Sequence, residues 1–170
     1  MDTLALIPLQ NYDREQFICD NQAAFLHGAT EEFGLRDNHF EEDGQIISRK
    51  TIEQSLDATN AQAYRIVFNG EIVGGIVLQL DGEHGDLDLL FVSPHYHNKG
   101  IGYRAWCAVE KMHPEIKIWQ THTPYFEQRN IHFYINRLGF HIVEFFNPFH
   151  PDKNHDNATE GFFRFEKLMK

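Results

Sequence analysis

The residues best placed to do chemistry run from Leu87 to Glu110. An apolar, strand-like run ends at Val92, Ser93-Pro-His-Tyr-His-Asn-Lys-Gly-Ile-Gly102 follows, and a helical pattern begins at once. Glycines at a helix start let backbone N–H groups approach an anion, and the helix dipole favours negative charge there. The plainer alternative is a helix that only needs a flexible entry. Two nucleotide-binding patterns fit badly. A Walker A loop needs Gly-Lys-Ser/Thr, whereas Gly100 is preceded by Lys99 and followed by Ile101. A dinucleotide fingerprint needs its first glycine directly after the strand and an acidic residue ending the next parallel strand. Here Pro94 intervenes, and the next strand finishes at Thr121.

Two carboxylates sit in the strand that leads into this loop. Asp86 and Asp88 share one face, alternating with Leu87 and Leu89, and Glu83 and His84 lie just upstream. The histidines, among them His95, His97, His122, His132, His141, His150 and His155, form no zinc-ligand spacing. No metal is expected, beyond an adventitious ion at His95 and His97.

These groups need a scaffold, and the hydrophobic pattern supplies one. Leu4 to Pro8 reads as a strand, and Asp13 to His27 as a helix burying Phe17, Ile18 and Phe25. A second helix starts between Ser48 and Thr51; Thr51-Ile-Glu-Gln54 fits a capping box, with Ile52 and Leu56 as its stripe. Ala63–Phe68 and Glu71–Leu80 read as strands joined by a type I′ turn at Asn69-Gly70. Gly74-Gly75 predicts a bulge or a close backbone approach. Asp86–Val92 is the most apolar strand and therefore central. Ile101, Ala105, Ala108, Val109 and Met112 recur at helical spacing before Pro114. Ile116–Thr121 is a further strand, and Glu127–Leu138 a helix capped by Gly139. Phe140–Phe146 and Phe162–Glu166 close the sheet. The order predicts an α+β (mixed α/β) fold with one central sheet covered by helices.

Two segments carry a family resemblance. Val92-Ser-Pro-His-Tyr-His-Asn-Lys-Gly-Ile-Gly102 resembles the acyl-CoA-binding motif of the GNAT superfamily of N-acyltransferases, Gln/Arg-x-x-Gly-x-Gly/Ala after a strand ending in Val-x-Pro. Asn130-Ile-His-Phe-Tyr-Ile-Asn-Arg-Leu-Gly-Phe140 is similar to its second signature, an Asn-opened helix with a Phe-Tyr pair ending in Leu-Gly-Phe. The element order matches that family over nearly the whole chain. The resemblance implies a mixed, mostly antiparallel sheet of about seven strands, about four flanking helices and a splayed parallel strand pair. It also implies one acetyltransferase domain spanning 1–170.

The resemblance implies a chemistry too. Acetyl-CoA is the co-substrate, and a primary amine of a small molecule or peptide attacks its thioester directly. The loop residues His97, Asn98, Lys99, Gly100, Ile101 and Gly102 would cradle the pyrophosphate through their amides. Main-chain groups at Phe91 and Val92 would pair with the pantetheine and polarise the carbonyl, and Asn130 would bind the pantetheine arm or a water. Tyr134 matches the family's general acid, protonating the departing sulfur. Asp88, as the deeper strand carboxylate, or Asp86 would take the amine's proton. His97 departs from the usual Gln or Arg, which predicts cofactor affinity that tightens as pH falls through about 6.5. The alternative is a catalytically inactive acyl-CoA sensor of the same fold.

Composition narrows the partners. The 170 residues hold 15 basic and 25 acidic side chains, a net charge of −10 that argues against nucleic acid. Full protonation of the 11 histidines would bring that charge to +1. Glu31, Glu32, Asp37, Glu41, Glu42 and Asp43 lie in the region that flanks the family's acceptor pocket, which favours a cationic amine. Tyr125, Phe126, Phe145, Phe146 and Phe149 are aromatic candidates for that pocket. No run approaches the ~20 apolar residues that cross a bilayer, and Met1–Gln10 lacks a basic n-region. A cytoplasmic protein with two reduced cysteines and no membrane partner is expected. The oligomeric state is left open, a homodimer included.

Overall fold

The computed structural model describes residues 1–28, 44–125, 127–153 and 161–170. The acidic stretch 31–43, Phe126 and His155 therefore lie outside the described residues. Seven strands form one mixed sheet with a single parallel pair, in the order β1-β2-β3-β4-β5-β7-β6. They are β1 (Leu4–Pro8), β2 (Ala61–Phe68), β3 (Glu71–Asp81), β4 (His84–Val92), β5 (Ile118–Pro124), β6 (His141–Phe146) and β7 (Phe162–Leu168). The helices are α1 (Arg14–His27), α2 (Arg49–Asp57), α3 (Ile101–Met112) and α4 (Gln128–His132). Packing divides the chain into two compact units: 1–80 with 87–114, and 81–86 with 115–170.

In the first unit, β1, β2 and β3 form an antiparallel meander. Asn69 (φ 52°) and Gly70 (φ 83°) make the expected type I′ turn, both in the left-handed region. Apolar side chains fill both faces of this sheet. Phe17, Ile18 and Ala24 of α1 and Ile52 of α2 pack with Val77, Leu89 and Phe91. A separate cluster joins Ile101 and Ala105 of α3 to Ile66, Phe68 and Val73. Trp106 is fully buried while Met112 is 43% exposed, so the α3 stripe is displaced from its expected end.

Both meanings of Gly74-Gly75 are realised. The β2–β3 register shifts between Ile66 and Val67, leaving an extra residue on β3. A Cβ at Gly74 would collide with the Phe91 carbonyl, and one at Gly75 with the Phe17 and Phe91 rings. The helix cap is corrected: Ser48, not Thr51, is the N-cap of α2, its Oγ accepting from the Thr51 amide at 3.1 Å. Ser48 precedes the first helical residue with extended backbone, the geometry that capping demands.

In the second unit β7 pairs antiparallel with both β5 and β6. Trp119, Thr121 and Thr123 are buried on one face of β5, and Gly85 meets the Trp119 ring so closely that a Cβ would collide. The expected single helix over 127–138 is corrected. It changes at Phe133 into a π-helical turn through Arg137, with the Leu138 amide donating to the Phe133 carbonyl at 3.1 Å. Gly139 (φ 83°) then ends it.

Candidate active site

The first unit carries the strand, loop and helix that drew attention in the sequence. Leu87, Leu89 and Phe91 are buried on one face of β4, and the Phe91 ring meets Phe17 edge-on at 5.1 Å. The Ser93 amide donates to the Val73 carbonyl at 2.7 Å, and Pro94–Tyr96 form one 3-10 turn. Two residues then adopt left-handed backbone: Asn98 (φ 65°) and Gly100 (φ 70°), the latter the N-cap of α3. Asparagine tolerates this region through its short polar side chain, and glycine enters it without strain. Asn98, Lys99 and Gly100 are exposed, and a Cβ at Gly100 would meet nothing within 4 Å.

The side chains hold this loop from behind. Ile101 is 2% exposed in the α3 core, so its backbone, not its side chain, faces the loop mouth. The His97 ring is part-buried and donates through Nε2 to the Val92 carbonyl at 2.8 Å. It also lies edge-on to His27 at 5.9 Å. Tyr96 donates to the Glu71 carboxylate, and that hydrogen bond holds its phenol above the ordinary tyrosine value. Arg104, in the first turn of α3, lies over the Phe68 ring at 5.5 Å and donates to the Asp2 carbonyl. The result is a helix N-terminus, where the first amides have no intrahelical partner, with basic side chains nearby, the chemistry a phosphate group needs; the His97 amide already donates to the Pro94 carbonyl at 3.3 Å.

Of the strand carboxylates, Asp88 belongs to the first unit. It is exposed, although it stands further into β4 than Asp86. The face it shares with Asp86 is the opposite of the buried Leu87-Leu89-Phe91 face, and Asp88 accepts hydrogen bonds from Ser55 Oγ and from Gln79 Nε2 at 3.2 Å. No motif in the sequence singles out Ser55 or Gln79, because they reach Asp88 from separate elements. Asp86 is half-buried in the second unit, and Glu83 and His84 are exposed.

The second unit also carries the Asn130–Phe140 segment. Asn130 is half-buried, its Nδ2 3.5 Å from Thr123 Oγ1. Tyr134 occupies the π turn, its ring 5.5 Å from Phe165 and 6.1 Å from Phe140. The Tyr134 carbonyl accepts from the Phe140 amide at 2.9 Å. A π turn in place of regular helix is frequent at functional sites. Among the aromatic pocket candidates, Phe146 is buried, whereas Tyr125, Phe145 and Phe149 are exposed. Among the described residues, no group of three or more His, Cys, Asp or Glu gathers to hold a metal ion.

This fold and these two segments define an acyl-CoA-dependent transferase class. The acetyltransferase (GNAT) family model matches residues 23–140, and the chain belongs to that family. A curated relative, the uncharacterized protein YrkN of Bacillus subtilis strain 168, is 42% identical over 170 residues, covering 93% of this chain and 89% of that protein. The ribosomal-protein-S18-alanine N-acetyltransferase of Escherichia coli is similar in fold, with a TM-score of 0.69 at 15% identity, over 100% of this chain and 95% of that one. So is a GNAT acetyltransferase of Elizabethkingia anophelis solved with acetyl-CoA bound, with a TM-score of 0.62 at 19% identity over 99% and 98% of the two chains.

Proposed function

We propose that this chain is a single, cytoplasmic N-acetyltransferase domain that moves the acetyl group of acetyl-CoA to a primary amine. The observation that carries the reading is the exposed turn at Asn98–Gly100, with two left-handed residues opening the α3 N-terminus within a family of acetyltransferases. The open space in front of Gly100 and the basic side chains of Lys99 and Arg104 fit a pyrophosphate. When bound, acetyl-CoA supplies the activated acetyl group.

The chain's own residues would do the rest. Amides of His97 through Gly102 bind the phosphates, and main-chain groups at Phe91 and Val92 orient the pantetheine, with the Val92 carbonyl already engaged by His97. Asn130 holds the pantetheine arm or a water, and Tyr134 donates its phenolic proton to the departing sulfur. β4 offers Asp86 and Asp88 for the amine's proton; Asp86 is the more sheltered, and Asp88 is already an acceptor for Ser55 and Gln79. The acceptor is a small-molecule or peptide amine, and the net charge of −10 favours a cationic one.

A thiol-release assay with acetyl-CoA and a panel of amines, polyamines, amino acids and peptides tests this. Release that requires an amine, and that falls by roughly 10²–10⁴ in Tyr134→Phe while coenzyme A binding persists, supports it. Coenzyme A binding without turnover on any amine would instead favour the acyl-CoA sensor. A protein whose melting temperature ignores coenzyme A would defeat both.

A further inference from the structure

The first unit holds a tether that none of the roles above uses. Phe68 and Glu71 flank the Asn69-Gly70 turn and are partners in register across the β2–β3 hairpin, so their side chains share one face. Phe68 packs on that face with Ile101 and Ala105 of α3. There the Tyr96 phenol donates to the Glu71 carboxylate, and the Tyr96 ring meets Phe68 edge-on at 6.5 Å and 75°. Arg104 lies over the same Phe68 ring at 5.5 Å. The hairpin tip is itself pinned to the residues that lead into β1. The Asn69 amide donates to the Thr3 carbonyl at 2.9 Å, Asn69 Oδ1 accepts from the Thr3 amide at 2.9 Å, and Asn69 Nδ2 donates to Asp2 Oδ1 at 3.0 Å.

Tyr96 ends the 3-10 turn Pro94–Tyr96, just before left-handed Asn98 and Gly100. Asn98, Lys99 and Gly100 are exposed, so the path of their amides is set by the two ends of the segment. One end is Ile101, buried in the α3 core at 2% exposure. The other is Tyr96, with His97 bonded to Val92 beside it. His97 fastens the loop to the strand it leaves, whereas Tyr96 fastens it to a different element. A left-handed residue other than glycine persists where its surroundings hold it, and the Glu71 contact brings such a hold from the hairpin. The charge of Glu71 opposes an anion held at the same loop. What Glu71 contributes is therefore geometry, an acceptor that fixes the Tyr96 phenol.

We propose that Glu71 and Tyr96 are positioning residues for coenzyme A: their hydrogen bond holds the loop in the shape whose amides meet the phosphates, and neither side chain touches the ligand. The inference rests on the acetyl-CoA reading above. It extends the binding machinery from the strand, loop and helix to the β2–β3 hairpin, with the Phe68 ring as a platform shared by Tyr96 and Arg104. A hairpin without this role would accept a change at Glu71 with little effect, as surface positions do.

Calorimetry with coenzyme A on the intact protein tests this as a double-mutant cycle. Tyr96→Phe and Glu71→Ala should each weaken binding by roughly 3–10-fold, and the double variant by no more than either alone, because all three lose the same bond. Glu71→Gln keeps an acceptor for the phenol and drops the charge, so it should bind at least as tightly as the wild type. In the ligand-free protein the amide NMR signals of Asn98 and Gly100 should move in Tyr96→Phe and Glu71→Ala and return in Glu71→Gln. Affinity unchanged in either single variant, losses that add in the double, or a Glu71→Gln as weak as Glu71→Ala overturns the assignment and leaves the acetyl-CoA reading standing. A fall in melting temperature with affinity intact marks the bond as structural alone and overturns it as well. A wild-type protein that binds no coenzyme A overturns the acetyl-CoA reading itself, and this role with it.

Discussion

Arg65 carries a full charge at 3% exposure because its neighbours supply what water would. Its guanidinium donates to Asp13 at 2.7 and 3.1 Å, pairs with Asp20 at 3.0 Å and lies over the Phe17 ring at 5.2 Å. Removing Asp13 takes away two hydrogen bonds to a buried charge but leaves Asp20 paired with it. Asp13→Ala should therefore cost about 1.5–3 kcal/mol in urea unfolding, and Asp13→Ala with Asp20→Ala more than the sum of the two. Space is equally tight at Gly75, where Ala should cost about 1–3 kcal/mol by overpacking Phe17 and Phe91. Glu144 gives a pH signature. The His150 hydrogen bond, then that of Arg164, holds its carboxyl below the ordinary value. Its contribution is present in full above that ordinary value and is lost as pH falls through the lowered one. Glu144→Gln should therefore flatten the decline in stability between about pH 5 and pH 3, followed by circular dichroism.

Elements differ in how openly their residues announce them. Asn69-Gly70 between alternating strands could hardly be anything but a hairpin, and the strand–loop–helix from β4 to α3 stands where its glycines put it. The α2 cap was less legible, since Ser48 and Thr51 both satisfy the capping preference and only backbone geometry chooses. Ser48→Ala should cost about 1 kcal/mol in thermal unfolding, well above the cost of Thr51→Ala. Asp88 stands further into an apolar strand than Asp86 and is yet the more exposed of the two. Alternation fixes which residues share a face, but what covers that face comes from distant elements. The hydrogen bond from Ser55 to Asp88 was illegible for the same reason: the two residues stand 33 positions apart, one on α2 and one on β4. In the loop, His97→Ala should weaken coenzyme A binding by roughly 2–10-fold in calorimetry, because the hydrogen bond to Val92 is what holds the turn.

For the molecule as a whole, binding and stability are one measurement. Saturation with coenzyme A at about 100 times its dissociation constant should add about 2.7 kcal/mol, read as a higher melting temperature. On the proposed reading, the acidic protein would hold an anionic ligand through the local field of Lys99, Arg104 and the α3 amides. Among the described residues, no helix is long and apolar enough to cross a membrane. The turn that carries Tyr134 has a further consequence, for how the chain tolerates changes in length. A π turn encloses one residue more than an α-helical turn. Deleting Ile135 would turn the bond from the Leu138 amide to the Phe133 carbonyl into an ordinary i→i−4 one, so buried Leu138 and left-handed Gly139 would keep their places. A one-residue insertion, with no further widened turn to absorb it, would instead rotate them by about 100°. A single deletion across Phe133–Arg137 should thus leave the fold standing where an insertion is rejected: here the chain can shorten but not lengthen.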